Sequence, residues 1–246
     1  LLLRLEEESV ARSGVQGLDI LGTSVSVSTA LGHPGDRQVL ELEVTVPPGF
    51  QLPNAPNQRV TPQTADKVRV SLASGSGAEA DAEALEAATL PGPQIDSDHP
   101  EILAQAKRLI DEVDGRQNQV GRILRFTYEH LDKALATHIP SASGVLSQRR
   151  GDCTEHSWLF VALCRAAGIP ARPVFGLMYL GDGEMSFGYH AWAEVALDGR
   201  WQTVDPTWNQ LPVDATHLKL GETSASVASV LGELRIRVLK QGPRSP

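Results

Sequence analysis

Two cysteines in 246 residues, Cys153 and Cys164, leave no room for a disulfide framework. On a single helix they would stand about 16 Å apart at ~1.5 Å per residue, whereas a disulfide needs Cα atoms within about 7 Å. Long apolar runs are missing too: nothing approaches the ~18 residues of a membrane span. Leu1-Leu2-Leu3-Arg4-Leu5 is too short for a signal-peptide core and meets Glu6-Glu7-Glu8 at once. Basic charge is in deficit, with 22 Lys and Arg against 30 Asp and Glu for a net charge of -8. No basic stripe exists to follow a phosphate backbone, so nucleic acid is not an expected partner. No internal repeat shows. What remains, 41% apolar and 21% charged residues, is the composition of a globular protein able to bury a real core in one or two domains.

The first part of the chain reads as strands. Ser24 to Ser28, Val39 to Val46 and Val68 to Leu72 alternate apolar and polar residues, the pattern of half-buried strands. Pro47 to Thr64 reads as loop, and Ser74 to Ala88 as a linker with at most one weak helix. Leu90-Pro91-Gly92-Pro93 closes this β-rich region, which is placed at residues 1–90. Residues 91–246 form the second region. Asp96-Ser97-Asp98-His99-Pro100-Glu101 is rich in metal-type donors but reads better as Asp or Ser capping a helix with Pro in its first turn. That helix runs to about Val113, and a second from Val120 to Thr137 carries Ile123, Leu124, Leu131 and Leu135. A short helical turn is expected within Ser141 to Gln148. Strands follow at Ala171 to Leu180, Tyr189 to Leu197, Arg200 to Val204, His217 to Leu220 and Leu234 to Leu239.

Between these stretches lies a helix that is apolar on nearly every side from Trp158 to Ala167, the mark of a helix wrapped by its domain. Gly168 and Pro170 stop it; Asp152, with Thr154 and Glu155 in the first turn, starts it. Cys153 therefore sits at the helix start, where free N–H groups and the positive end of the dipole favour a thiolate. Cys164, inside the apolar run, reads as a small buried hydrophobe.

Downstream, Asp198-Gly199 separates two alternating runs and marks a tight hairpin. With those two residues as the turn, Leu197 faces Arg200, Trp192 faces Asp205 and His190 faces Thr207. His190, Trp192, Trp201 and Asp205 then share one face. His190 and Asp205 become diagonal neighbours at roughly 7–8 Å, within side-chain reach. A carboxylate orienting a histidine, beside a thiol at a helix start, is what nucleophilic acyl transfer uses. His156, one turn after Cys153, is a rival base. Against it, a base on the same helix reaches poorly over the thiol toward a leaving group.

Four segments, Gly151-Asp152-Cys153-Thr154-Glu155-His156, Gly168-Ile169-Pro170-Ala171-Arg172, His190-Ala191-Trp192-Ala193-Glu194-Val195 and Trp201-Gln202-Thr203-Val204-Asp205-Pro206-Thr207-Trp208, resemble the transglutaminase-like superfamily, in particular its bacterial branch described as cysteine proteases. The resemblance covers about residues 95 to 220, and Ala215-Thr216-His217-Leu218 fits the same branch. It implies an α+β, papain-like (transglutaminase-core) fold, with a Cys-bearing buried helix packed on an antiparallel sheet and a β-rich region before it. It also implies a Cys153–His190–Asp205 triad in a catalytic domain spanning 91–246. Expected, then, is a cysteine hydrolase or acyltransferase that works on peptide or protein amides through a thioester acyl-enzyme and needs no metal or organic cofactor. A periplasmic or secreted location is favoured on the resemblance alone.

Animal transglutaminases place a Trp upstream of the nucleophile to hold the oxyanion. Here the first Trp is Trp158, inside the helix, which leaves the Cys153 N–H with Tyr128 and Gln148 as weak candidates for the second donor. Gly181-Asp182-Gly183-Glu184 reads as a hairpin tip rather than a calcium loop. Arg149 and Arg150 read as a solvated turn. Two rivals remain: a non-catalytic papain-like binding or assembly module, and a metal site built from His190, Asp205 and Cys153.

Overall fold

Buried alternation and turn chemistry set the elements of this computed structural model, which describes residues 24–75, 77–134, 141–230 and 232–242. In chain order the elements are β1 (Val25–Ser26), β2 (Val39–Thr45), β3 (Gln58–Pro62), β4 (Lys67–Ala73), β5 (Ala78–Glu79), α1 (Ala82–Ala87), α2 (Pro100–Ile110), α3 (Arg116–His130) and β6 (Asp132–Lys133). They continue with α4 (Ala142–Gln148), β7 (Arg150–Gly151), α5 (Cys153–Ala166), β8 (Ala171–Tyr179), β9 (Ser186–Leu197), β10 (Arg200–Val204), β11 (His217–Gly221), α6 (Ser224–Ala228) and β12 (Arg235–Gly242). The second helix begins earlier than expected, at Arg116, and ends earlier, at His130, where Leu131 turns extended and Asp132–Lys133 form β6; Leu135 to Thr137 and the Leu1 to Glu8 stretch lie outside the described residues. Among the described residues no helix is long and apolar enough to cross a membrane.

Two compact units interleave along the chain. One takes residues 77–173 and 191–212; the other takes 24–75, 174–190 and 213–242. The division falls inside β8 and β9, so each of these strands serves both units.

In the first unit α2, α3 and α4 pack on α5. Ile102, Ala106, Val120, Ile123 and Leu124 meet Leu159, Phe160 and Leu163, and Ala193, Val195 and Val204 from β9 and β10 join the same core. Helix α5 is buried on all sides from Leu159 to Cys164, which is why its sequence carries no polar stripe. Strand β10 pairs with β9 on one side and β5 on the other, both antiparallel. Asp198 and Gly199 have φ of 50° and 75°. Both central residues of the turn are thus left-handed, as a two-residue hairpin loop matching the strand twist requires. Helix α2 is capped by the side chain of His99, which accepts from the Glu101 N–H, and not by Asp96 or Ser97 as expected. Asp96 instead accepts the N–H and hydroxyl of Ser143 at the start of α4. Helix α1 fills part of the stretch read as linker, with Asp81 accepting the Ala84 N–H.

The second unit holds an antiparallel sheet in the order β12-β2-β4-β3. Leu40 faces Leu72 and Leu42 faces Val70, all four fully buried. Strand β3 forms inside the stretch read as loop. It is an edge strand, mostly exposed, and its polar sequence carries no apolar alternation. Its anchoring comes from Gln58, whose side chain accepts from the Lys219 N–H and donates to the Lys219 carbonyl, copying a strand pairing onto β11. Strand β12 runs past the expected Leu239 to Gly242 by way of a bulge between Val238 and Lys240. Strand β11 pairs with β8, and β1 with the start of β9. The tip after β8 is a turn in which Glu184 and Met185 donate to the Gly181 carbonyl, the hairpin tip expected there.

Candidate active site

The start of α5 is fixed by a reciprocal cap. The Asp152 carboxylate accepts the Thr154 N–H at 2.8 Å, and the Glu155 carboxylate accepts the Asp152 N–H at 2.9 Å. Gly151 precedes them because a Cβ there would lie 2.3 Å from the Glu155 Cβ. The parallel pairing of β7 with β6 ties this loop down from the other side. Cys153 then occupies the first helical position, 2% exposed. His156 donates through Nδ1 to the Asp152 carbonyl at 2.6 Å. The rival base is thus engaged with the helix start on which it sits.

The expectation of a thiolate at this helix end is not met. Burial pushes the Cys153 thiol well above its ordinary range, and the charge of Asp152 adds to that rise. The Ala191 N–H, hydrogen-bonded to the sulfur, opposes it, but Glu155 and Asp205 raise it further. Partial charges at a helix end are worth ~0.3–1 kcal/mol at exposed sites. Burial among three carboxyl groups outweighs that and favours the neutral Cys153 thiol. Cys164 behaves as expected, buried and raised by desolvation alone.

The hairpin register is the one expected: Leu197 pairs with Arg200 and the ladder runs to Ala193 opposite Val204. It stops there. The expected pairings of Trp192 with Asp205 and His190 with Thr207 do not continue it, because Asp205 bridges to Gln210 instead, with each backbone N–H donating to the other's carbonyl. The Asp205 carboxylate accepts the Thr207 N–H at 2.8 Å and the Trp208 N–H at 3.3 Å. These donors fix its direction. Asp205 is fully buried, as is Trp192, and His190 is 1% exposed. On β9, His190, Trp192 and Glu194 share a face by alternation. Glu194 is also buried and is gripped by Arg172, whose guanidinium lies over the Trp201 ring.

Other expected features are placed as follows. Lys133 lies over the rings of Tyr128 and Trp208, Gln148 is exposed at the end of α4, and Arg149 and Arg150 are exposed. Trp158 packs against the helical core. The Ala191 N–H, a backbone donor at the sulfur, has no signal in the sequence. The acidic pair Asp152 and Glu155 does, in the Asp-x-x-Glu spacing of a cap.

A cysteine at the start of a buried helix, packed on antiparallel strands, defines the papain-like class of α+β fold. Residues 97–206 match the sequence profile of the transglutaminase-like superfamily. Kyphoscoliosis peptidase of Mus musculus is 34% identical over 86 residues, which are 30% of this chain and 12% of that protein. Its Homo sapiens counterpart is 33% identical over 81 residues, 28% of this chain and 11% of the relative. The chain therefore matches only a small part of these curated relatives' length. Among solved structures, a proposed cysteine protease from Cytophaga hutchinsonii superposes with a TM-score of 0.55 at 16% identity, covering 85% of this chain and 92% of that one. The periplasmic domain of TgpA from Pseudomonas aeruginosa does so at 0.50 and 18%, covering 83% and 92%. These likenesses concern the fold.

Proposed function

We propose that this protein is a cysteine-nucleophile acyl-transfer enzyme acting on peptide or protein amides. Cys153 attacks the amide carbonyl; His190 takes the thiol proton and passes it to the departing amine; Asp205 orients His190. The thioester acyl-enzyme is then resolved by water or by an amine. The observation that carries this reading is the Ala191 N–H on the Cys153 sulfur. It brings the residue next to His190 in the chain against the thiol, with Asp205 near enough to act on the same group. A decayed copy kept only for binding is expected to lose a member of such a set, and Cys153, His190 and Asp205 are all present. A periplasmic or secreted location goes with this reading, supported by likeness to a domain described as periplasmic.

The test is a panel of peptide amides, incubated with and without a primary amine, comparing the protein with Cys153→Ala. Release of amine product that needs Cys153 supports the enzyme, and incorporation of the added amine assigns it to transfer rather than hydrolysis. Full activity in Cys153→Ala would overturn the assignment of the nucleophile. No turnover of any amide, together with Cys153 alkylation unaffected by His190→Ala, would favour the binding module.

A further inference from the structure

A histidine–carboxylate pair stands beside His190. In the unit that holds His190, the His217 ring meets it edge-on, with ring centroids 5.6 Å apart and planes at 64°. His217 is fully buried on β11, and Asp214 just before it is 4% exposed. One Asp214 oxygen accepts the Thr216 N–H at 2.9 Å and the Thr216 hydroxyl at 2.6 Å, and lies 3.3 Å from His217 Nδ1. Burial alone would raise the Asp214 carboxyl, but the charge and hydrogen bond of His217 and the Thr216 donors outweigh it and hold the group below its ordinary value. A carboxylate so held accepts from the imidazole, which places a proton on His217 Nδ1 and fixes the ring against flipping. The backbone is pinned as well: Asn57 donates to the His217 carbonyl at 3.1 Å, and Gln58 brackets Lys219 two residues on.

A buried, clamped imidazole against a second one has little use in packing that an apolar side chain would not serve. We propose that His217, held by Asp214, is a positioning residue for His190, fixing the orientation and tautomer of the imidazole that serves as base. The inference rests on the reading of His190 given above. The ring contact of His217 is with His190, and its effect is expected to pass through that ring.

Two readouts test it at pH 8: the rate of Cys153 alkylation by iodoacetamide, and long-range proton–nitrogen spectra of the histidine rings, with His190 assigned through His190→Ala. Substituting His217→Phe keeps a flat ring and removes the anchored nitrogen; Asp214→Asn keeps both rings and removes the anchoring charge. In each, the alkylation rate is expected to fall roughly 10- to 100-fold, as on loss of an orienting partner. His190 is expected to pass from one tautomer to a mixture. An unchanged rate, or a slower rate with the His190 spectrum unaltered, overturns the inference. Should His217→Phe fail to fold, Asp214→Asn decides alone. If His190→Ala itself alkylates like the parent protein, it is the assignment of His190 as base that fails, a separate outcome.

Discussion

Asp152 offers the sharpest quantitative test of the site. Its carboxyl is pushed up to about 8 from 3.8, first by burial and then by the hydrogen bond and charge of Glu155. In the unfolded chain the same carboxyl ionises near its ordinary value. Between about pH 4 and pH 8 the native state therefore holds a proton that the unfolded state has lost, so stability falls as pH rises through that window. It is fully present below pH 4 and lost by about pH 8. At about 1.36 kcal/mol per pH unit, a shift of this size bounds the loss at roughly 6 kcal/mol; relaxation of the native state and the partial exposure of the group reduce it to about 2–4 kcal/mol. Asn is as good a cap as Asp and keeps an acceptor for the Thr154 N–H, so Asp152→Asn removes the titration with little change in the helix start. Urea unfolding of both proteins at several pH values from 4.5 to 8.5 gives the comparison. The parent protein is expected to lose about 1 kcal/mol per pH unit relative to Asp152→Asn. Parallel stability curves would refute the argument, and with it the picture of a buried Asp152 carboxyl that keeps its proton beside Cys153.

Three further outcomes follow from the same geometry. Glu194→Ala strands Arg172 without its carboxylate partner, 2.7 Å away, and is expected to lower stability by about 3–5 kcal/mol in chemical denaturation, with Glu194→Gln losing less. Phe160→Ala, in the fully buried middle of α5, is expected to cost about 3–5 kcal/mol, read as a lower denaturation midpoint with an unchanged m-value. Cys164→Ala is expected to leave alkylation kinetics at Cys153 unaltered, because Cys164 is buried and its thiol is raised by desolvation alone; mass spectrometry after iodoacetamide treatment checks this.

The helix and the hairpin were legible because local rules govern them. The apolar run of α5, its Asp cap and its Gly168 stop follow from side-chain periodicity and end chemistry. The β9–β10 register follows from two turn residues that accept positive φ. What stayed hidden depends on partners distant in the chain. Strand β3 has no apolar alternation and forms because Gln58 reaches Lys219, 161 positions away. The end of the β10 ladder is set by Asp205 turning to pair with Gln210, a choice that strand alternation does not encode. Reading His99 as part of a polar cluster missed that its ring accepts from Glu101 while Asp96 is drawn off to Ser143. The resting charge of Cys153 is the most instructive case. Helix position argued for a thiolate, but burial and the convergence of Asp152, Glu155 and Asp205 are tertiary facts, and they decide the sign.

That sign bears on how the proposed chemistry proceeds. A cysteine enzyme that rests as a thiolate–imidazolium pair has its nucleophile ready before substrate arrives. Here the surroundings of Cys153 favour the neutral thiol, and the Ala191 N–H works the other way. Negative charge on the sulfur is therefore unwelcome at rest, and the thiol proton must leave as the sulfur–carbon bond forms. The charge then passes from sulfur to the carbonyl oxygen rather than building up beside three carboxyl groups. This makes the placement of the base more demanding than in a preformed ion pair, since proton transfer and attack share one transition state and both need His190 in a single orientation. Asp205, itself fixed by the N–H groups of Thr207 and Trp208, supplies one restraint on that ring on this reading. A neutral resting thiol thus gives a physical reason for a second, equally buried restraint on the same imidazole.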